Sequence, residues 1–119
     1  MTHRYWLGAL LTALTLVPLQ ARAQQAEDIA DIRCVAVGIR FAELPDSSQK
    51  STGTLLVLYY IGRLDGRTPS LDIEKLLTEQ ITRMSAADYS AEAARCGKWL
   101  STKGAQITHI GEDMQSHFK

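Results

Sequence analysis

Three observations predict an all-α fold, a small four-helix domain closed by one disulfide and ending in a long C-terminal helix. Apolar residues recur at alternating steps of three and four through most of the last third of the chain. A second, shorter amphipathic stretch precedes them. Only two cysteines occur, Cys34 and Cys96, and both lie beyond a leader-like start. The alternative weighed beside this fold is α+β, with an N-terminal hairpin.

The leader comes first. "MTHRYWLGALLTALTLVPLQARAQQ" opens with a basic residue, Arg4, continues with an apolar core from about Tyr5 to Leu19, and closes on Ala21-Arg22-Ala23. Small residues at those two positions are what a signal peptidase reads, so cleavage is placed after Ala23. The apolar core is roughly 15 residues, shorter than the ~20 of a membrane-spanning helix. Residues 1–23 are therefore a signal peptide and residues 24–119 a single helical domain, with no membrane insertion after cleavage.

Charge and cysteine usage narrow the class. Loss of Arg4 and Arg22 with the leader leaves 11 basic residues against 13 acidic ones. So mild an acidity gives no electrostatic basis for a nucleic-acid partner. The chain contains no asparagine, which excludes N-glycosylation. An even cysteine count in a small exported chain reads as a disulfide, Cys34–Cys96. It closes a loop of about 60 residues, worth roughly 4 kcal/mol in the chain-entropy treatment. A bacterial periplasm or exterior is the compartment that such a bond implies.

The first mature segment, "AEDIADIRCVAVGIRFAEL", reads as a helix with Ala30, Cys34, Val37, Phe41 and Leu44 on one face. Its acidic start suits a helix N-terminus. Val35, Val37, Ile39 and Phe41 also alternate, and "TLLVLYYI" is β-prone, which is the basis of the hairpin alternative. Pro45 to Gly53 reads as a loop. Leu55 to Leu64 follows as the helix expected to be most buried, with Gly62 allowing close backbone approach and Asp65-Gly66 ending it.

"TPSLDIEKLLTEQITRM" is the next helix, capped by Thr68 or Ser70, with Leu71, Leu77, Ile81 and Met84 on its buried stripe. Ser85 and Asp88 then open the last helix. Tyr89, Ala93, Cys96, Leu100, Ile107, Ile110 and Met114 mark one face of it, interrupted only by Lys103. Thirty residues extend about 45 Å, against a radius of gyration of about 12–13 Å for a compact domain of this size. The helix must overhang, bend at Gly104, or pack on a second copy as a homodimer.

The candidate partner or ligand surface is "YYIGRLDGR": Tyr59, Tyr60, Arg63, Asp65 and Arg67. Arg63 stands one turn beyond both tyrosines and could pair a carboxylate or phosphate from a ligand, or an acid within the chain such as Asp65 or Glu74. Aligned as a calcium loop, Asp65-Gly66 would put Ile61 and Arg63 where oxygen ligands are needed, so that reading fails. His109, Asp113 and His117 share a helix face but lack the further ligands of a coordination shell. No metal and no cofactor is therefore assigned. Trp99 reads as a residue flanking the core. No nucleophile–base pair is recognisable, so the expectation is a protein that is not an enzyme.

The leader, a cysteine in the first helix, "LYYIGRLDGRTP" and "AARCGKWL" together resemble a group of small exported bacterial proteins to which no activity is assigned. In outline the chain is also similar to acid-stress chaperones of the HdeA type, small periplasmic helical proteins with one disulfide. That likeness is architectural, since cysteine separation and the long last helix differ. It implies an acid-activated chaperone that loosens a dimer when carboxylates are protonated. The residues themselves point to a binding or interaction protein whose partner is another envelope or secreted protein.

Overall fold

The computed structural model describes residues 17–117. Most of the expected leader core lies outside them. Four helices follow one another: α1 (Val17–Ala42), α2 (Ser47–Arg67), α3 (Ile73–Arg83) and α4 (Ala86–His117). There is no strand among the described residues. The all-α reading holds and the hairpin does not form, because both β-prone runs lie within helices that cover each other. The predicted cleavage point falls inside α1, whose turns from Leu19 to Glu27 are exposed.

The starts of α2, α3 and α4 are each fixed by a side chain. Asp46 caps α2 by accepting from Gln49 N at 2.9 Å, and Asp72 caps α3 by accepting from Lys75 N at 3.0 Å. Ser85 and Asp88 cap α4 reciprocally: the Asp88 carboxylate accepts from Ser85 N and Oγ at 2.8 and 2.7 Å, and Asp88 N donates to Ser85 Oγ at 3.2 Å. The Ser85 hydroxyl, aided by its backbone N–H, holds the Asp88 carboxyl below its ordinary value.

The core is organised around α1, not α2. All three other helices pack on α1, and Ile32, Cys34, Val35, Ala36 and Val37 are buried in succession around its circumference. On α2 only Gly53, Leu56, Tyr60 and Leu64 are buried, one per turn, while Leu55 and Leu58 face solvent. The expectation of an all-round buried α2 is therefore corrected: it is a one-sided helix whose apolar excess is exposed. On α3 the buried residue is Gln80, and Ile81, assigned to the buried stripe, is exposed.

Three boundaries also differ from the sequence reading. The loop expected from Pro45 to Gly53 is confined to residues 43–46, since Asp46 starts α2 seven residues earlier. The α2 end expected at Asp65-Gly66 comes at Arg67, where Thr68 adopts φ −137° ahead of Pro69. A proline drives the preceding residue out of the helical region, and no described glycine has a positive φ. Asp72, rather than Thr68 or Ser70, caps α3.

Gly62 was expected to admit a close neighbour, yet nothing lies within 4 Å of a Cβ placed there. The close approach occurs where α1 crosses α2, at Gly38 and Gly53. A Cβ on Gly38 would lie 2.9 Å from Gly53 O, and one on Gly53 would meet Gly38 O at 2.5 Å and the Ala42 backbone nitrogen. Replacing glycine by alanine in an open helix stabilises it by up to about 1 kcal/mol, whereas overpacking costs about 1–3 kcal/mol. Gly62→Ala should therefore raise, and Gly53→Ala lower, the urea midpoint of the oxidised protein. Equal midpoints would remove the backbone crossing as the reason for Gly53.

Candidate functional site

Tyr59, Tyr60, Arg63 and Arg67 lie on the C-terminal turns of α2, and helix spacing distributes them over two clusters. The first is ionic. Arg67 donates from Nε to Asp28 Oδ1 and from Nη2 to Asp31 Oδ2, each at 2.8 Å. Both aspartates are about 95% buried. Thr68 Oγ1 donates to Asp28 Oδ2 at 3.0 Å, and the Gln24 amide donates to Thr68 Oγ1 at 2.9 Å. Burial works against the Arg67 charge, but its hydrogen bonds to Asp31 and Asp28, with the pull of their charges, outweigh it and hold the guanidinium above its ordinary value.

Asp28 and Asp31 therefore do not mark a helix N-terminus, as their place in "AEDIAD" suggests. They sit in the middle of α1 and pin the end of α2 to it. Taking one partner from such a buried pair leaves the other charge without compensation, which is costlier than never having had the pair.

The second cluster is aromatic. The Tyr59 and Trp99 rings stack with centroids 4.5 Å apart, and Tyr60 meets Tyr59 edge-on at 4.9 Å. The Arg63 guanidinium lies 5.8, 5.7 and 5.2 Å from the Tyr59, Tyr60 and Trp99 rings. Its Nε is 3.2 Å from Asp31 Oδ2, so Asp31 links the two clusters. Arg63 pairs within the chain, as one reading allowed, but with an acid on α1 instead of Asp65 or Glu74. Asp65 is exposed and joins neither cluster.

Tyr60 is 1% exposed and belongs to the core as much as to the site. Burial, the largest influence, pushes its phenol above the ordinary value against the lowering pull of Arg95 and Arg63. An open recess of about 260 Å³ adjoins it, walled by Glu27, Asp31, Arg63, Arg95 and Trp99. Another recess, about 250 Å³ between α1 and α3, is walled by Leu71, Leu76, Lys75 and Glu79. That one is a seam between packed helices and contains no aromatic or guanidinium group.

Behind the aromatic cluster lies the Cys34–Cys96 disulfide, its Cα atoms 5.7 Å apart and both residues fully buried. Arg95 covers it, with Nη2 2.7 Å from Ala30 O and 3.0 Å from Cys34 Sγ, and Nε 2.6 Å from Glu92 Oε2. Cys34, Glu92 and Cys96 bring three potential ligand atoms within 4.8 Å. Both sulfurs are bonded to each other and a cation rests on the group, so the residues as they stand do not suit a metal. On the far half of α4, His109 lies 3.4 Å from Asp113, and both are exposed. Sequence reasoning missed Asp28, Asp31, Gln24, Glu27 and Arg95. The available signal was the matched spacing of two acids three apart and two arginines four apart, each on one helix face.

Chemically, the surface offers an indole, a phenol and a guanidinium, rimmed by Glu27 and Arg95. Such groups suit recognition of planar, anionic or mixed-charge surfaces. No helix of the described residues is long and apolar enough to cross a membrane. No family model, curated protein or solved structure matches the chain.

The two arginines should differ sharply on substitution. Arg67→Ala leaves Asp28 and Asp31 buried beside a void and should cost about 3 kcal/mol in urea unfolding. Arg63→Ala leaves Asp31 paired with Arg67 and should cost about 1 kcal/mol. Equal losses would show that Arg67 is not the anchor.

Proposed function

We propose that the protein is an exported, non-enzymatic binding protein of the bacterial envelope or exterior, which docks another envelope or secreted protein through the Tyr59–Arg63–Trp99 surface. The observation that carries this reading is the partly exposed stack of tyrosine, arginine and tryptophan. These three residue types dominate the energetics of protein interfaces. Here they are held in place before any partner arrives, because Trp99 is stacked on Tyr59 and Arg63 is tied to Asp31. Prior ordering reduces the entropy lost on association. Glu27 and Arg95 give the rim both charge signs, which fits a partner with an apolar plug flanked by an amine and a carboxylate.

A second reading, an acid-activated periplasmic chaperone of HdeA-like behaviour, is favoured by the ionic cluster. Arg67, Arg63 and Thr68 tie α2 to α1 through Asp28 and Asp31, so any condition that removes this charge pairing slackens the α1–α2 contact. The Asp88 cap acts in the same direction. Its depressed pKa contributes stability above the ordinary carboxylate range, and that stability is lost as pH falls through the folded-state value.

Two experiments separate the readings. A photo-reactive residue at Glu27 should give a discrete adduct in vivo that disappears in Trp99→Ala, whereas the same probe at exposed Thr82 should give none. Retention of the adduct in Trp99→Ala would count decisively against the docking surface. For the second reading, the protein should suppress aggregation of a test client near pH 3 and not at pH 7, and absence of protection in acid removes it.

A further inference from the structure

We infer that the second half of α4 is a self-association element, pairing antiparallel with the same segment of a second copy. Leu100, Lys103, Ile107, Ile110, Met114 and His117 recur at steps of three and four, the spacing of a coiled-coil seam. The same stripe carries Tyr89, Ala93, Cys96 and Leu100 onto the core. Beyond Leu100 it continues with none of the described residues covering it: Ile107, Ile110 and Met114 are 69%, 55% and 53% exposed. A helical segment this short is marginal alone, and Gly104 and Gly111 weaken it further. Its regular apolar face is what a partner helix would stabilise.

Charge identifies the occupant. Lys103 lies on the stripe toward one end of the segment, and Asp113 flanks it toward the other. A second copy laid antiparallel places each copy's Lys103 beside the other's Asp113, so one surface satisfies itself across a two-fold axis. A parallel copy sets like charges side by side. Gly104 and Gly111, with nothing within 4 Å of a Cβ at either, leave room for the partner backbone. Lys103 Nζ lies 5.1 Å over the Trp99 ring and 3.0 Å from Gln106 Oε1, both exposed contacts it can exchange for a partner carboxylate. The docking surface proposed above adjoins this segment at Trp99, which Lys103 overlies, and the inference rests on Ile107, Ile110 and Met114 beyond it.

Sedimentation of the oxidised protein should show mass rising with concentration from one chain to two. Ile107→Glu/Ile110→Glu should return a single chain with the near-ultraviolet signal of Trp99 preserved, since both side chains are exposed in the isolated fold. Lys103→Glu should weaken pairing, and adding Asp113→Lys should restore it. Zero-length coupling should join Lys103 to Asp113. Ten residues of helix hold these about 15 Å apart within one chain, so the product can form only between antiparallel copies. A chain that stays single at every concentration overturns the inference, as does a dimer indifferent to the isoleucine changes. So does a single chain that uses Ile107 and Ile110 to bind phosphatidylglycerol vesicles or an unrelated protein.

Discussion

The covalent tie between α1 and α4 is the constraint on which the arrangement rests. Among the described residues, α4 packs on the core along its first half, through Tyr89, Ala93, Cys96 and Leu100, and only Cys96 of its residues is buried. A contact that narrow would be in continual exchange with solvent if held by apolar area alone. The bond from Cys34 on α1 fixes the point of closure, and the Arg33–Glu92 salt bridge and the hydrogen bond from Arg95 to Ala30 O settle the orientation around it. Trp99, one turn further on, is thereby delivered to the Tyr59 ring. The aromatic surface is a consequence of that closure: α2 supplies the phenols and guanidinium, and the disulfide places the indole against them.

Charge divides the labour at the other end of the same contact. Arg67 is spent on Asp28 and Asp31 and is structural in function. Arg63 shares Asp31 but keeps a face for the aromatic rings, so it is both restrained and presented. Two arginines one helical turn apart thus take different roles because α1 offers acids three residues apart, and only the nearer arginine reaches both. The surface left by this pairing is more aromatic and less cationic than "YYIGRLDGR" suggests.

Much of the architecture is written in short-range pattern. The reciprocal Ser85–Asp88 cap, the stripe along α4, the amphipathic α3 and the oxidised cysteine pair follow from residues within a few positions of one another, or from the count of cysteines alone. The start of α2 was equally legible in "DSSQ", where Asp46 and Gln49 stand at capping spacing, but the polar and glycine content of "PDSSQKSTG" masked it. Gly53 looked like a turn residue because its actual reason, the neighbouring α1 backbone, is fifteen positions away.

The sequence by itself determined the helices, the Ser85–Asp88 cap, the covalent closure and the excess length of the last helix. Those depend on backbone hydrogen bonds, capping side chains and apolar periodicity, all confined to a turn or two of chain. Tertiary structure alone decided that α1 would be the buried hub and that Leu55, Leu58 and Ile81 would be left outside. It also decided that Arg67 would find Asp28 and Asp31 and that Trp99 would stack on Tyr59. These outcomes depend on the rotation of each helix about its axis and on where pairs of helices cross. Both are set collectively by the packing of all four, a quantity that no local stretch of residues contains.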